Sequence, residues 1–228
     1  MDEWHDILPR MRNKQLVWYS QCSLFLNWIS ERYIQQAQWK RKGLIKCAEK
    51  GDLPGVRYLV ERCVDDAHAL DEEALVWASE NGHLEVVRFL VEMCGADVHA
   101  ENEEALRWAS WCGHLEVVRY LVERGADVHA MNEKALRYAS KNGHLDVVKC
   151  LVDEGGADVH ALGEEALRWA SKNGHLKVVT YLVEERRVDV HAKDEALQLA
   201  SMNGHLEVVK YLGGRVWIEC ARTWFVWL

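Results

Sequence analysis

Residues 113–130 read Gly113-His114-Leu115-Glu116-Val117-Val118-Arg119-Tyr120-Leu121-Val122-Glu123-Arg124-Gly125-Ala126-Asp127-Val128-His129-Ala130, and nearly the same words recur on both sides of them. Gly-His returns with histidines 83, 114, 144, 175 and 205, at separations of 31, 30, 31 and 30 residues. Gly51-Asp52 holds the same place, 31 residues before Gly82-His83. Six in-register copies specify stacked supersecondary units that bury their apolar faces against one another, rather than one closed core.

Each unit carries two helical patterns. In Glu103-Glu104-Ala105-Leu106-Arg107-Trp108-Ala109-Ser110, residues 105, 106 and 109 form one small and apolar face, with Asn102 placed to cap the start and two acids in the first turn facing the positive end of the helix dipole. Gly113 supplies a left-handed stop. In the second helix, Leu115 to Glu123, an apolar stripe runs through Leu115, Val118, Leu121 and Val122 and is widened by Val117 and Tyr120. Gly125 ends it, and Ala126 to Ala130 is too short and turn-rich for a third helix, so an extended finger is expected to project there.

This helix, turn, helix, finger unit resembles the ankyrin repeat. The pattern Ala-Ser/Ala-x-x-Gly-His-Leu-Glu-Val-Val-x-x-Leu-Val-x-x-Gly-Ala-Asp-Val covers residues 44–212. The resemblance implies an all-α helical solenoid of about six helix-turn-helix repeats, with units starting near residues 43, 72, 103, 133, 164 and 194. Two departures stand out. The family's Thr-Pro-Leu-His start is here Glu-Ala-Leu-Arg (Glu104 to Arg107, Glu165 to Arg168), so the hydrogen bonds that Thr and His make between repeats cannot be assumed. The unit is also two or three residues short of the family's usual 33, the loss falling between Ala130 and Ala135, which implies shortened fingers. Similar short arrays are abundant in giant viruses of amoebae and in some protists.

The two ends of the chain break the period. Residues 1–42 carry an apolar helical pattern between Leu16 and Ile34 and are read as a helical cap over the first repeat or, alternatively, as an adaptor segment that engages ubiquitin-ligase machinery. Leu8-Pro9 invites comparison with the F-box, but the Trp and Cys positions and the spacing do not fit it. Residues 213–228 replace the expected finger with a tail containing three Trp and a Phe, open to three readings: an aromatic cap, a sticky interaction or membrane-surface segment, or a reading-frame accident.

Charge and cysteine usage bound the function classes. The formal net charge is −8, and residues 43–228 hold 21 basic against 32 acidic side chains, which argues against a surface that tracks phosphates. Seven cysteines without a CxxC pair fit a reducing, cytoplasmic compartment, and no apolar run reaches the length of a membrane span. A monomer without cofactor is expected.

The residues that could carry chemistry form ladders. Ten of the eleven histidines fall into two of them, the Gly-His set and the finger set of His68, His99, His129, His160 and His191. Repeats stack on the order of 10 Å apart, whereas a zinc ion needs its nitrogens at about 2 Å, so no metal site is expected. In the Gly-His slot, Asp52 replaces His in the first unit, which points to N-capping of the second helix. Ser79, Ser110, Ser140, Ser171 and Ser201 form another ladder at a small-residue core position, and Cys47 and Cys63 lack a recurring His or Asp partner. A catalytic site normally breaks a repeat pattern at one place. Enzyme activity is the alternative from a different class, and nothing in these ladders supports it.

What remains is surface that varies. The two positions before each Gly-His glycine read Glu49-Lys50, Glu80-Asn81, Trp111-Cys112, Lys141-Asn142, Lys172-Asn173 and Met202-Asn203. By the ankyrin resemblance this part of the first helix, with the finger, lines the concave groove used for partners. The candidate partner-binding residues are therefore Glu80, Asn81, Trp111, Cys112, Lys141, Asn142, Lys172 and Asn173, with Met131 and Asn132 at a finger. Trp111 reads either as an aromatic anchor for a partner or as a packing contact, its indole lying on Lys141 or a neighbouring helix. Trp77, Trp108, Tyr138 and Trp169 form a second aromatic ladder expected to be partly buried between repeats. Outer-helix pairs Glu85/Arg88, Glu116/Arg119, Asp146/Lys149 and Glu207/Lys210 read as solvated i,i+3 ion pairs. Together these point to a non-catalytic scaffold that binds another protein, with no nucleic-acid or membrane partner.

Overall fold

The computed structural model describes residues 41–61, 67–186, 188 and 190–214, and the array forms a unit of its own from Leu44 onward. The described residues are helical with no strand: α1 (41–50), α2 (Leu53–Glu61), α3 (Ala67–Glu80), α4 (Leu84–Phe89), α5 (Ala100–Cys112), α6 (Leu115–Glu123), α7 (Ala130–Asn142), α8 (Leu145–Lys149), α9 (Ala161–Lys172), α10 (Leu176–Glu185), α11 (Val190–Met202) and α12 (206–214). The odd-numbered helices α3 to α11 pack in succession into one layer, and the even-numbered helices α2 to α10 follow one another in a second. The repeating architecture read from the sequence is the one observed.

Two leucines per repeat knit the layers together. Leu75, Leu106, Leu136 and Leu167 of the first helices and Leu90, Leu121, Leu151 and Leu182 of the second are all fully buried. Each contributes roughly 1.5 to 3 kcal/mol of burial. Val117, Val118 and Tyr120 join them, whereas Leu115, expected in the stripe, is only half-buried. The finger does not project freely, because Ala96, Val98, Ala126, Val128, Ala157 and Val159 tuck their small side chains into the core.

The alternation of 31- and 30-residue units has a local cause. In two of the longer units the second helix continues as one wide π turn, Leu90–Cys94 and Cys150–Glu154. That turn absorbs one extra residue and returns the chain to the same place, with Ala96 N–H donating to Leu90 O and Ala157 N–H to Leu151 O. In the 30-residue unit that starts at His114, Ala126 N–H reaches Leu121 O without it.

The Gly-His ladder couples neighbouring repeats. His83, His114, His144 and His175 stand at the N-termini of second helices but make no side-chain cap, contrary to the capping role inferred from Asp52. Instead Nε2 donates to the carbonyl at the end of the preceding repeat's first helix: His83 to Glu49, His114 to Glu80, His175 to Lys141 and His205 to Lys172 at 2.9 Å, and His144 to Trp111 at 3.0 Å. Asp52 does cap, accepting from Gly55 N–H at 3.1 Å. Asp lacks the reach and the donor to do what the imidazole does. The glycine is required twice over, since Gly113 has φ 82° and a Cβ there would come within 2.5 Å of the His144 ring.

Where residues are missing relative to the usual unit, the chain makes a left-handed turn. Glu101-Asn102-Glu103, Met131-Asn132-Glu133 and Leu162-Gly163-Glu164 all have φ between 50° and 64°. Asn102 therefore lies inside this turn and is not a helix N-cap. Three consecutive left-handed residues cost roughly 1–2 kcal/mol each where a Cβ is present, so they persist only if held. Asp97 Oδ1 accepts from His99 N–H at 2.9 Å, and His99 Nδ1 donates to Glu103 Oε1 at 2.6 Å. Arg107 then donates to the carbonyls of Asn102 and Glu101, at 3.0 and 2.9 Å. Asp127, His129, Glu133 and Arg137 repeat the same set of bonds.

Candidate functional site

The first-helix layer is built from three kinds of position. Two residues in each helix, such as Ala105 and Ala109, are buried, and Ser79, Ser110, Ser140 and Ser171 are buried beside them, their hydroxyls without hydrogen-bond partners. Four of the five serines read as core are thus placed there, while Ser201 is exposed. Next comes the aromatic ladder. Trp108, Tyr138 and Trp169 are half-buried as expected, and Trp77 is 37% exposed. The indole N–H of Trp108 donates to Glu104 at 3.2 Å and that of Trp169 to Glu165 at 3.0 Å, which fixes each ring over its own helix. Burial pushes the Glu165 pKa up, but the Trp169 indole and Arg137, at 2.7 Å, hold it below the ordinary carboxylate value.

The third position is the variable stripe. Trp111 is half-buried, its ring edge-to-face with Tyr138 at 4.9 Å between centroids and with Trp108 at 6.4 Å. Lys141 Nζ lies 4.8 Å from the Trp111 ring and 4.8 Å from that of Trp169, so its ammonium is shared by two indoles. Lys172 Nζ lies 4.9 Å from the same Trp169 ring. The packing contact foreseen for Trp111 is present, and it extends into a continuous run Trp108, Trp111, Tyr138, Lys141, Trp169, Lys172. None of Glu49, Glu80, Lys141 or Lys172 has an ion-pair partner among the described residues.

The Trp111-Cys112 interruption also changes a hydrogen bond. Asn81, Asn173 and Asn203 donate through Nδ2 to the carbonyl four residues earlier in their own helices. Asn142 instead reaches back one repeat to Trp111 O at 2.8 Å, the same carbonyl that accepts from His144. Cys112 is half-buried, and burial followed by the nearby Glu80 carboxylate raises its thiol pKa, which disfavours the thiolate. Met131 and Asn132 are exposed on the left-handed turn, where Lys134 Nζ lies 3.9 Å from Met131 Sδ and 5.4 Å from the centre of the Tyr138 ring.

The finger histidines serve the turn. His99 and His129 each donate to a buried carboxylate, Glu103 and Glu133, and that hydrogen bond is the main reason both pKa values lie above the ordinary 6.5. Among the described residues no group of three His, Cys, Asp or Glu side chains is disposed to hold a metal ion. Burial pushes the Cys150 thiol up to about 11.

On the outer layer, only one of the foreseen i,i+3 pairs forms an ion pair among the described residues, Glu116–Arg119 at 3.6 Å, and Arg119 also reaches Glu154 of the next repeat at 3.3 Å. Two of the other three cations lie over rings one repeat on: Arg88 over Tyr120 at 5.0 Å and Lys149 over Tyr181 at 5.3 Å. The sequence pattern missed this because a residue's neighbours across repeats stand about 31 positions away. The same holds for the Tyr120 hydroxyl, which donates to Glu92 at 3.2 Å, and for that of Tyr181, which donates to Asp153 at 2.8 Å.

A family model described as ankyrin repeats (3 copies) matches residues 44–132 and again residues 129–194, together more than half of the chain. The chain belongs to the ankyrin repeat family. No curated protein matches it. Ankyrin repeats are protein-interaction modules, and the family is typically non-catalytic. The Gly-His staple and the clasped left-handed turn are how this ankyrin array couples short units that lack Thr-Pro-Leu-His. The cap or adaptor reading of residues 1–42 falls almost wholly on residues outside the described ones, as does the reading of the aromatic tail. No described helix is long and apolar enough to cross a membrane.

Proposed function

We propose that this ankyrin array is a non-catalytic scaffold that binds a partner protein on the first-helix face, through the stripe Glu80, Trp111, Lys141, Lys172 and Met202. The observation that carries this reading is the contrast between positions. Core leucines, Gly-His staples and turn clasps repeat from unit to unit because each has a structural duty, whereas the stripe changes chemistry from Glu80 to Trp111, from Trp111 to Lys141 and from Lys172 to Met202, and holds unpaired charge beside aromatic surface. Trp111 and Met202 are of the residue types that protein interfaces enrich, and the half-buried Lys141 and exposed Lys172 beside them supply charge that selects among partners. Among the described residues, the histidines from His83 to His175 and His205 are committed to carbonyls and carboxylates and the buried thiol of Cys150 is held protonated, which supports a binding role over a catalytic one.

The test is affinity capture with the full chain, comparing wild type, Trp111→Ala and the outer-layer control Glu85→Gln. A protein retained by wild type and the control, and lost with Trp111→Ala, supports the reading. Retention that depends on the outer layer instead would contradict it.

A further inference from the structure

If the first-helix layer is the binding face, as proposed above, its charge pattern selects the partner. The array as a whole is acidic, yet its fourth and fifth repeats gather Lys134, Arg137, Lys141, Arg168 and Lys172 on this face. The two arginines are occupied, Arg137 by Glu165 at 2.7 Å and Arg168 by Glu195 at 2.9 Å, and both hold turn carbonyls. The lysines have no carboxylate partner among the described residues. Lys141 and Lys172 are instead poised over indoles, which leaves their remaining N–H groups and full charge for a ligand while limiting the side-chain freedom lost on binding.

Next to Lys172 the surface opens into a groove of about 490 Å³ between α9 and α11, with Trp169, Leu199 and Met202 as its apolar walls. Met202 is 76% exposed. Packed helices lie 8–10 Å apart and an extended chain advances about 3.3 Å per residue, so a peptide lying along the stripe moves about three residues per repeat. A helical ligand would need a continuous apolar groove for its i, i+3, i+4, i+7 face, and the stripe offers charge at two of its central steps. Beyond Trp111 the unpaired Glu80 carboxylate closes the acid-accepting zone, so a long polyanion would meet repulsion there.

We propose that the occupant is an extended acidic segment of a partner protein: two carboxylates about three residues apart over Lys141 and Lys172, followed within about three residues by one large apolar side chain in the α9/α11 groove.

Fluorescein-labelled 12-residue peptides test this on the full chain by anisotropy. The set carries two Glu separated by two, three or four residues with a Leu three residues on, and is matched by Gln-for-Glu and Ala-for-Leu controls and by a dT12 oligonucleotide. A Glu peptide of this set should bind saturably, weaken as salt rises, and bind at least about tenfold more tightly than its Gln control. Lys172→Glu should abolish that difference and Lys172→Arg should keep it; Lys172 is exposed, so neither should lower the melting temperature. Met202→Glu should remove the preference for Leu over Ala. Saturable binding by none of the Glu peptides, equal binding of the Gln control, or tighter binding of dT12 would overturn the proposal. A captured protein partner that depends on Trp111 but ignores Lys172→Glu would leave the protein-binding reading standing and remove this one. A partner indifferent to both substitutions would remove both.

Discussion

At the scale of single residues, Trp111 and Gly113 show how one position serves two ends. Trp111 contributes ring contacts to Trp108 and Tyr138 and a seat for Lys141, while its carbonyl accepts from two donors of the next repeat. Trp111→Ala keeps the carbonyl and should cost about 2 kcal/mol of stability, through two ring pairs and the half-buried indole area, while weakening partner binding by about 2 kcal/mol. Thermal melts and binding isotherms of the same variant separate the two effects. A stability loss several times larger would make Trp111 a core residue and end its role as an anchor. The sequence singled Trp111 out because it interrupts a ladder, but not its neighbours, which come from helices one and two repeats away.

Gly113 and Gly204 offer a matched pair. Both have positive φ, 82° and 76°, but a Cβ on Gly113 would strike His144 whereas nothing lies within 4 Å of one on Gly204. Gly204→Ala should therefore cost about 1 kcal/mol, the left-handed penalty alone, and Gly113→Ala roughly 1–2 kcal/mol more through loss of the staple. Equal costs in chemical denaturation would show that the histidine bond contributes nothing.

At the scale of elements, the left-handed turn explains what the sequence left as a departure. The residues Asp, His, Glu and Arg in Asp127, His129, Glu133 and Arg137 look like ordinary surface charge when read in order, because the turn that brings them together has three positive φ values that helical periodicity cannot signal. The recurring spacing Asp-x-His-x-x-x-Glu-x-x-x-Arg was the available clue. Arg137→Ala should destabilise the chain by about 2 kcal/mol, and Arg137→Lys should not restore it, since an ammonium cannot reach two carbonyls and Glu165 at once.

The same clasp makes stability depend on pH. The carboxylate hydrogen bonds raise the His99 and His129 pKa values above 6.5, so their stabilising contribution is fully present below about pH 6.5 and is lost as pH rises through the raised values. Melts taken across pH 6 to 8.5 should show the array less stable at the alkaline end, and Glu133→Gln should reduce that slope. A slope unchanged by Glu133→Gln would contradict this origin.

At the scale of the molecule, the repeat period made the architecture legible, since apolar spacing within a unit and the recurrence of units both report burial. The variable stripe was legible as a list of positions. Its aromatic and cationic continuity was not, because contacts between repeats join residues about 31 apart, and only stacking puts Lys141 between Trp111 and Trp169. Stability in such an array sums over neighbouring interfaces. Leu136→Ala, at the centre of the array, should cost about 2 to 5 kcal/mol and loosen the repeats on both sides, read as faster amide exchange in α5 and α9 as well as α7. Exchange confined to α7 would show weaker coupling between repeats than the Gly-His staples imply.

The most direct measurement of the central claim is the footprint of a captured partner by hydroxyl-radical labelling of the full chain. Protection of Trp111, Trp169 and Met202, with Arg88, Tyr58 and the outer helices unchanged, is the result expected if the first-helix stripe is the binding surface. Protection of the outer layer with Trp111, Trp169 and Met202 unchanged would contradict it.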